Sequence, residues 1–458
     1  MTVGSNLIDD APLTRFHKKL TAYSSGGPFI DGYAIAIIGV AFTTLTPALD
    51  MTTADKGLVA AASLVGIFFG GAVFGYVTDK IGRHVMYIAD LAALALFSVL
   101  SAFAAEVWQL VLLRFLLGAA IGADYPIATS LLAEYLPRRF RGRLLGATFV
   151  VWAVGAAAAY VVGVSLEGLG ANAWRFMLAS PALFAVVTLF LRLGTPESPR
   201  WLLSKGRAEE ADQAIKKVFG PQYGVADLAV EQTAAKTSYT TVFRSPYLKR
   251  TLFVGVFWTA QVIPLFALYS FAPDLLAGMG ITGNTAEVFL AALFVIGGIP
   301  GLWLVERIGR RALLLWSFGI IAVALGVPGL VPGLPTWVTF VAVCVFALAS
   351  GGSSFLEVVY PNELFPTEVR ATAVGVGTAF SRIGAAAATF LMPFALAKSQ
   401  NLPLLVGAVV SVIGLLVTLA WATETRGRSL SDTAAGADNP AEHTDPSPAP
   451  APAPAPTN

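Results

Sequence analysis

GYVTDKIGRH, residues 75–84, is a short charged turn between two long apolar runs. The string VERIGRR, residues 305–311, repeats its order of acid, base, glycine and arginine in the second part of the chain. Asp79 of the first string therefore corresponds to Glu306 of the second. A charged turn that occurs twice in this way indicates an internal repeat.

Two further pairs of acids keep nearly the same offset along the chain. Glu134 in EYLPRRFR corresponds to Glu363 in ELFPTEVR, and Glu197 in PESPR corresponds to Glu424 in TETRG. The offset is far longer than the period of roughly 20–50 residues that is typical of stacked repeats. The pattern instead indicates duplication of a whole half-protein, as in some secondary transporters.

The composition places the repeated unit in a membrane. Hydrophobic residues make up 56% of the chain and charged residues only 13%. Many apolar runs are long enough to cross roughly 30 Å of hydrocarbon. The single cysteine, Cys344, excludes an internal disulfide framework and a cysteine-based metal site. We therefore predict an all-α integral membrane protein.

Twelve apolar spans are predicted, six in each half, with a polar stretch between the sixth and the seventh. They lie near residues 29–49, 57–78, 84–104, 107–136, 143–165, 173–193, 250–273, 285–305, 311–331, 335–359, 370–396 and 402–422. The repeat and the span count together predict two pseudo-symmetric six-helix bundles, over residues 29–193 and 250–422.

The positions of lysine and arginine predict the orientation. With the N-terminus inside, basic residues concentrate on the cytoplasmic side, and the outer loops hold only Lys56, Arg175 and Lys398. We expect both termini to be cytoplasmic in a plasma-membrane protein. We also expect a cytoplasmic arm over residues 1–28 that is not a signal peptide.

Two polar segments are predicted outside the bundles. Residues 194–249 form a cytoplasmic linker with a helix at EEADQAIKKVFG. The tail, residues 423–458, ends in an alternating Pro-Ala tract that we expect to be disordered, because such a tract cannot build a core.

The chain resembles the major facilitator superfamily, on its sugar-porter-like and metabolite:proton symporter branch. The resemblance covers residues 29–430, and the strings that carry it are GYVTDKIGRH, RFLLGAAIGADYPIA, LAEYLPRRFRG, LVERIGRR, YPNELFPTEVRATAVGVGTAFSRIGA and TETRGRSL. It implies a transporter that alternates between inward-open and outward-open states.

The resemblance also implies a cytoplasmic gate made of charged residues at the ends of both halves. Ion pairs suit a gate, because their net energies are modest and their partners can be solvated again when the gate opens. The alternative is that these charges only fix the topology, but positive-inside selection needs no acids. The implied gate residues are Gly75, Asp79, Arg83, Glu134, Arg141, Glu197, Glu306, Arg310, Glu363, Arg370 and Glu424.

Ionisable residues within the spans point to the transport site, because each costs about 2.5–3.5 kcal/mol at the centre of a helix. They are Asp31, Asp90, Arg114, Asp124, Glu357 and Arg382. We expect proton or substrate binding at all of them except Asp90, which is more typical of a packing position.

Each of these candidates has a structural alternative. Asp31 matches the first acid of a D-G-Y-D pattern in related symporters, but Ala34 replaces the second acid, so coupling must rest on Asp31, Asp124 or Glu357, or be absent. The alternative for Asp31 is a helix-end acid in water, and the alternative for Asp124 is one partner of an interhelical hydrogen bond. Arg114 fits proton transfer or a structural hydrogen bond to the first span, whereas Arg382 would suit an anionic substrate.

The seventh span bears on substrate choice. Sugar porters carry paired glutamines and an asparagine there, whereas this chain offers only Gln261, with Trp258 nearby. Few hydroxyl partners, several aromatic residues and two deep arginines favour a small carboxylate, aromatic or not, over a hexose.

We therefore expect proton-coupled uptake of a small organic metabolite by alternating access. The alternatives are a sugar-type facilitator, a proton-antiporting exporter and a transporter-like sensor. No enzyme site is evident in the polar segments. The expected partners are the substrate and the lipid bilayer, without nucleic acid, and the expected state is a monomer with no cofactor apart from the coupling proton.

Overall fold

The computed structural model describes residues 8, 11–227, 239–278, 280, 285–365 and 367–426. Within these residues it contains eighteen α-helices and no strand. The helices are Arg15–Ser24 (α1), Gly26–Ala48 (α2), Thr53–Ile81 (α3), Arg83–Ser101 (α4), Val107–Tyr135 (α5), Arg138–Glu167 (α6), Ala173–Ala179 (α7), Pro181–Arg192 (α8), Pro199–Ser204 (α9), Ala208–Phe219 (α10), Leu248–Ser270 (α11), Ala272–Gly278 (α12), Thr285–Ile308 (α13), Arg310–Leu330 (α14), Thr336–Ser354 (α15), Leu356–Leu364 (α16), Thr367–Lys398 (α17) and Asn401–Trp421 (α18). Short 3₁₀ segments lie at Gly170–Asn172, Val225–Asp227 and Tyr239–Phe243.

Twelve segments in the described part of the chain are long and apolar enough to cross a membrane. The prediction of twelve spans is thereby confirmed. In the first half α2 packs on α6, α3 on α5 and α4 on α8. In the second half α11 packs on α17, α13 on α15 and α14 on α18, which is the same set of pairings repeated. The halves meet where α3 packs on α17 and where α6 packs on α13.

Three predicted spans consist of two helices each. The sixth is interrupted at Ser180, where Pro181 begins a new helix, since proline lacks the N–H that would continue the old one. The seventh is interrupted at Phe271, and the tenth at Phe355. The predicted boundaries are otherwise close, and the fourth span extends to Tyr135 as its length suggested.

Glycines set the distance between neighbouring helices of one half. A Cβ on Gly118 of α5 would lie 2.1 Å from the Ser63 carbonyl oxygen of α3. In the second half, a Cβ on Gly301 of α13 would lie 2.2 Å from the Gly352 carbonyl oxygen of α15. Only a residue without a side chain permits these approaches, and close packing is the main attraction between helices in lipid.

The polar segments lie at one end of the bundles, which we call the linker end. Helix α1 lies within the N-terminal arm, and α9 and α10 lie within the linker. Trp201 of α9 is buried in a small cluster with Ala211 and Ala214 of α10. The Pro-Ala tract lies outside the described residues. The opposite end, where α2 ends and α3 begins, is called the far end.

Candidate functional site

A chain of charged and aromatic groups crosses the boundary between the two halves. Asp31 of α2 is buried and accepts a hydrogen bond from the indole Nε1 of Trp152 on α6, at 2.9 Å. The Trp152 ring meets the Phe266 ring of α11 edge-on, with centroids 5.9 Å apart. The guanidinium of Arg382 on α17 lies 5.1 Å from the centroid of the same Phe266 ring. Two predicted site residues from opposite halves are thus connected through two aromatic rings.

A glycine brings Asp31 and Trp152 together. A Cβ on Gly32 would lie 2.1 Å from the Trp152 carbonyl oxygen, so α2 can approach α6 this closely only because Gly32 has no side chain. The close approach brings the indole of α6 to the carboxylate of α2. An aromatic residue in an apolar span is more often a packing residue, so no local pattern indicated that Trp152 bonds Asp31.

The second half brings Glu357, Arg382 and Trp258 together. Glu357 and Arg382 are both buried. Arg382 is close enough to influence the Glu357 carboxyl electrostatically, and the Trp258 indole lies beside that carboxyl, although its Nε1 donates to no described residue. Gln261, also buried, donates from Nε2 to the Ser353 hydroxyl at 3.1 Å. This part of the site therefore holds an acid, a cation, an amide and an aromatic ring.

Arg114 lies elsewhere and makes structural contacts. Its Nη1 donates to the Ala34 carbonyl oxygen at 3.0 Å, and its Nη2 donates to the Ser63 hydroxyl at 3.3 Å. The residue is buried and holds α5 against α2 and α3. These contacts agree with the structural alternative, hydrogen bonding to the first span.

Asp124 is paired with an arginine that the sequence did not single out. Arg192 at the end of α8 donates from Nη1 to Asp124 Oδ1 at 2.6 Å and from Nη2 to Oδ2 at 3.3 Å. Asp90, which we expected to be a packing position, lies 3.8 Å from the same Nη1. Arg192 follows an apolar run directly before the linker, where an arginine is also expected for topology alone.

The linker end carries two matching glutamates. Glu197 accepts from the backbone N–H of His84 at the start of α4, at 2.9 Å. Glu424 accepts from the backbone N–H groups of Arg310 and Arg311 at the start of α14, at 3.0 and 3.1 Å. Both helices are preceded by a glycine with positive φ, +119° at Gly82 and +90° at Gly309. A carboxylate at this position pairs with the unsatisfied N–H groups and the positive end of the helix dipole.

The second-half charges form a compact ion cluster. Arg310 donates to both Glu363 oxygens, from Nε at 3.0 Å and from Nη2 at 2.9 Å. Glu306 lies 3.5 Å from the same Nη2. The side chains of the remaining predicted gate residues lie outside the described part of the structure, namely Asp79, Arg83, Glu134, Arg141 and Arg370, and so does the local detail around Gly75.

Contacts between the halves close the far end. Lys56 Nζ lies 3.6 Å from Asp274 Oδ1, and the Tyr160 hydroxyl donates to the Tyr269 carbonyl oxygen at 2.7 Å. The Phe42 and Phe271 rings stack with centroids 5.6 Å apart. A cavity beneath them, lined mainly by apolar side chains and by both tyrosines, has a volume of about 30 Å³. It accommodates about one or two waters and is smaller than a metabolite.

Comparisons with known proteins agree with this architecture. A family model described as "Sugar (and other) transporter" matches residues 19–436. The putative metabolite transport protein YaaU of Escherichia coli (strain K12) is 40% identical over 435 residues, which cover 94% of this chain and 97% of YaaU. The niacin transporter NiaP of Acinetobacter baylyi is 25% identical over 398 residues, covering 84% of this chain and 88% of NiaP.

A solved structure supports the same assignment at the level of the fold. The inward-open xylose transporter XylE from E. coli aligns with a TM-score of 0.75 at 19% identity, over 91% of this chain and 99% of XylE. The predicted fold of two six-helix bundles is thus confirmed. The chain therefore belongs to the sugar (and other) transporter family of the major facilitator superfamily and is a multi-pass membrane transporter of small molecules.

Proposed function

We propose that this transporter carries a small, aromatic carboxylate together with a proton into the cell. The observation that carries the proposal is the buried pair of Glu357 and Arg382, set beside the Phe266 ring at the boundary between the halves. A guanidinium matches a carboxylate in charge and in geometry, and it also stacks on aromatic rings.

The pair of Glu357 and Arg382 offers a physical route to coupling. When Glu357 is ionised, its negative charge repels a substrate carboxylate that approaches Arg382. When Glu357 takes up a proton, this repulsion is removed and a substrate carboxylate can approach the guanidinium of Arg382 more favourably. Because a nearby anion favours the protonated form of a carboxyl, the proton and the substrate anion favour each other's binding.

The first half contributes the opposite wall of the proposed site. Asp31 holds the Trp152 indole, and Trp152 contacts Phe266. An aromatic substrate would insert between these rings, and its own ring contacts would replace the contact between Trp152 and Phe266. Asp31 would then be a second carboxyl exposed to the substrate site, and Gln261 would contribute its amide to orientation.

Alternating access requires that the two ends open in turn. The far-end contacts of Lys56, Tyr160 and Phe42 would part in one state, and the cluster of Arg310, Glu363 and Glu424 at the linker end would rearrange in the other. The basic residues of the linker support a cytoplasmic position for that end and for both termini in the plasma membrane. We further propose that the monomer is the working unit and needs no cofactor.

A neutral sugar is the second candidate. Solved structures of similar fold include a proton:xylose symporter, so this architecture accommodates a pentose in that protein. Against a sugar here, Gln261 already donates to Ser353, and the rest of the described site consists of charged and aromatic groups. The name of NiaP as a niacin transporter agrees better with an aromatic carboxylate.

Uptake of nicotinate and nicotinamide into proteoliposomes tests the proposal. The two compounds share a ring and differ in charge. Wild-type protein should accumulate nicotinate when protons are more concentrated outside the vesicles than inside, and it should carry nicotinamide poorly. Arg382→Gln should lower nicotinate uptake at least tenfold. Arg207→Gln, in the exposed linker, is the matched control and should leave uptake unchanged.

Two results would contradict the proposal. If the wild type carries D-xylose but neither pyridine compound, the substrate is a sugar. If nicotinate enters equally well with and without the pH gradient, transport is not proton-coupled.

A further inference from the structure

Three charged side chains form a buried cluster within the first half, near the linker end. They are Asp90 of α4, Asp124 of α5 and Arg192 of α8, which are 4%, 5% and 0% exposed. Arg192 Nη1 lies 2.6 Å from Asp124 Oδ1 and 3.8 Å from Asp90 Oδ2. Both carboxyls are therefore placed against one nitrogen of one guanidinium.

The other contacts that Arg192 makes with described residues are to uncharged groups. Its Nε donates to the Tyr23 carbonyl oxygen, and Nη1 also donates to the Tyr87 carbonyl oxygen, both at 3.2 Å. The guanidinium lies 3.8 Å from the centroid of the Tyr87 ring, and the Tyr87 hydroxyl is bonded to the Ser24 hydroxyl at 2.7 Å. Tyr87 is thus the only other ionisable side chain that the described structure places against the guanidinium.

The cluster contains two carboxyls but only one guanidinium to balance their charge. Asp124 accepts two of the hydrogen bonds that the guanidinium donates, one on each carboxyl oxygen. Asp90 Oδ1 accepts only from the Leu91 N–H, and Asp90 Oδ2 has no hydrogen-bond partner within the described residues. An ionised, uncompensated carboxylate at such a site is costly, and a second carboxylate nearby raises the cost further.

The site is also tightly enclosed. A Cβ on Gly27 of α2 would lie 1.5 Å from Asp124 Oδ2, so the backbone of α2 presses directly on the carboxyl. Asp90 is buried as well, so little water reaches either carboxyl. Two neighbouring carboxyls that cannot both ionise hold one proton between them.

We propose that Asp90 and Asp124 share one proton beside Arg192, and that this cluster is a proton-binding site distinct from the substrate site. The proton sits on Asp90 Oδ2, which lacks a donor, while Asp124 stays ionised against Arg192. Two carboxyls, one proton and one guanidinium then give a cluster of zero net charge. The proton can leave only when water reaches the cluster, which links its release to opening of the linker end.

Infrared spectra of the purified protein in lipid test this site without any substrate, when the spectrum of each variant is subtracted from that of the wild type. A protonated buried carboxyl gives a C=O stretching band that an ionised one lacks. Asp90→Asn and Asp124→Asn should each remove the same one-carboxyl component of that band, since each leaves a neutral ion pair. Asp50→Asn, an exposed position at the far end, is the control and should remove nothing.

Arg192→Gln should increase the intensity of the C=O band. Without the guanidinium both carboxyls lack a counter-charge, so a second protonated carboxyl should appear. If Arg192→Gln does not fold, the two aspartate variants still decide the question. An unchanged band in Asp90→Asn and Asp124→Asn would mean that both carboxyls are ionised, and it would overturn the proposal.

This test is separate from the proposed transport function. A wild-type protein without gradient-driven uptake would contradict proton coupling but would leave the band and its loss in Asp90→Asn unaffected. Conversely, an unchanged band alongside gradient-driven nicotinate uptake would overturn this site alone.

Discussion

At the scale of single residues, a carboxylate binds the N-terminus of one helix in each half. Glu197 accepts from the start of α4, and Glu424 accepts from the start of α14. A charge at a helix N-terminus contributes about 0.3–1 kcal/mol, which is small enough to be made and broken during transport. The repeated string that contains Asp79 and Glu306 thus lies where one span ends and a capped helix begins.

The cluster around Arg310 gives a prediction with its own control. Glu363 makes two hydrogen bonds to Arg310 and its side chain is 23% exposed, whereas Glu306 makes one long contact and its side chain is 71% exposed. Glu363→Gln should destabilise the protein by about 2 kcal/mol, because it weakens two charge-assisted hydrogen bonds. Glu306→Gln should change stability by less than about 0.5 kcal/mol. Equal melting temperatures of the two purified variants would contradict the larger contribution assigned to Glu363.

Residues also show where the sequence stops being informative. Asp31, Glu357 and Arg382 could be singled out, because a charge within an apolar span is costly and needs a reason. Arg192 was missed because it stands at the end of a span, where a charge costs little. The bond from Trp152 to Asp31 depends on how α2 and α6 are rotated, which no local pattern determines.

At the scale of helices, glycines that touch a neighbouring backbone determine the packing. Gly118→Ala would place a methyl group 2.1 Å from the Ser63 carbonyl oxygen, so α3 and α5 must separate. We expect a loss of stability of about 1–3 kcal/mol, as for an overpacked core. Gly319→Ala in α14 meets no atom within 4 Å and is the matched control. Thermal unfolding should rank Gly118→Ala well below Gly319→Ala, and the reverse order would contradict the close packing of α3 on α5.

The number of spans was predictable from the sequence, whereas their interruptions were not. Hydropathy identifies an apolar run, and it is the same for one long helix and for two short ones. Ser180, Phe271 and Phe355 lie within such runs, and only Pro181 marks an interruption in advance. Interrupted helices leave backbone groups to be satisfied elsewhere, which membrane proteins tolerate where protein surrounds them.

At the scale of the whole molecule, the duplication seen in the charged turn extends to the helix pairings. Each pairing within the first half has its counterpart in the second. Helix α3 corresponds to α13 and α6 to α17, so the two contacts between the halves, α3 on α17 and α6 on α13, are equivalent. Two similar bodies related in this way can rock about the boundary between them while their internal packing is kept. The proposed site lies on that boundary, between Trp152 of one body and Phe266 of the other.

Rocking predicts that tying the halves together at the far end stops transport. Lys56 and Asp274 belong to different halves and form an ion pair there, whereas Ala102 and Arg175 touch within the first half. In a Cys344→Ala background, the pair Lys56→Cys and Asp274→Cys, joined by a short bifunctional maleimide, should lose nearly all uptake of a compound that the wild type carries. The pair Ala102→Cys and Arg175→Cys, joined by the same reagent, should keep most of its uptake, because that bond does not cross the boundary. Continued transport after complete cross-linking of the first pair would mean that the halves do not part at the far end, and alternating access would need another moving element.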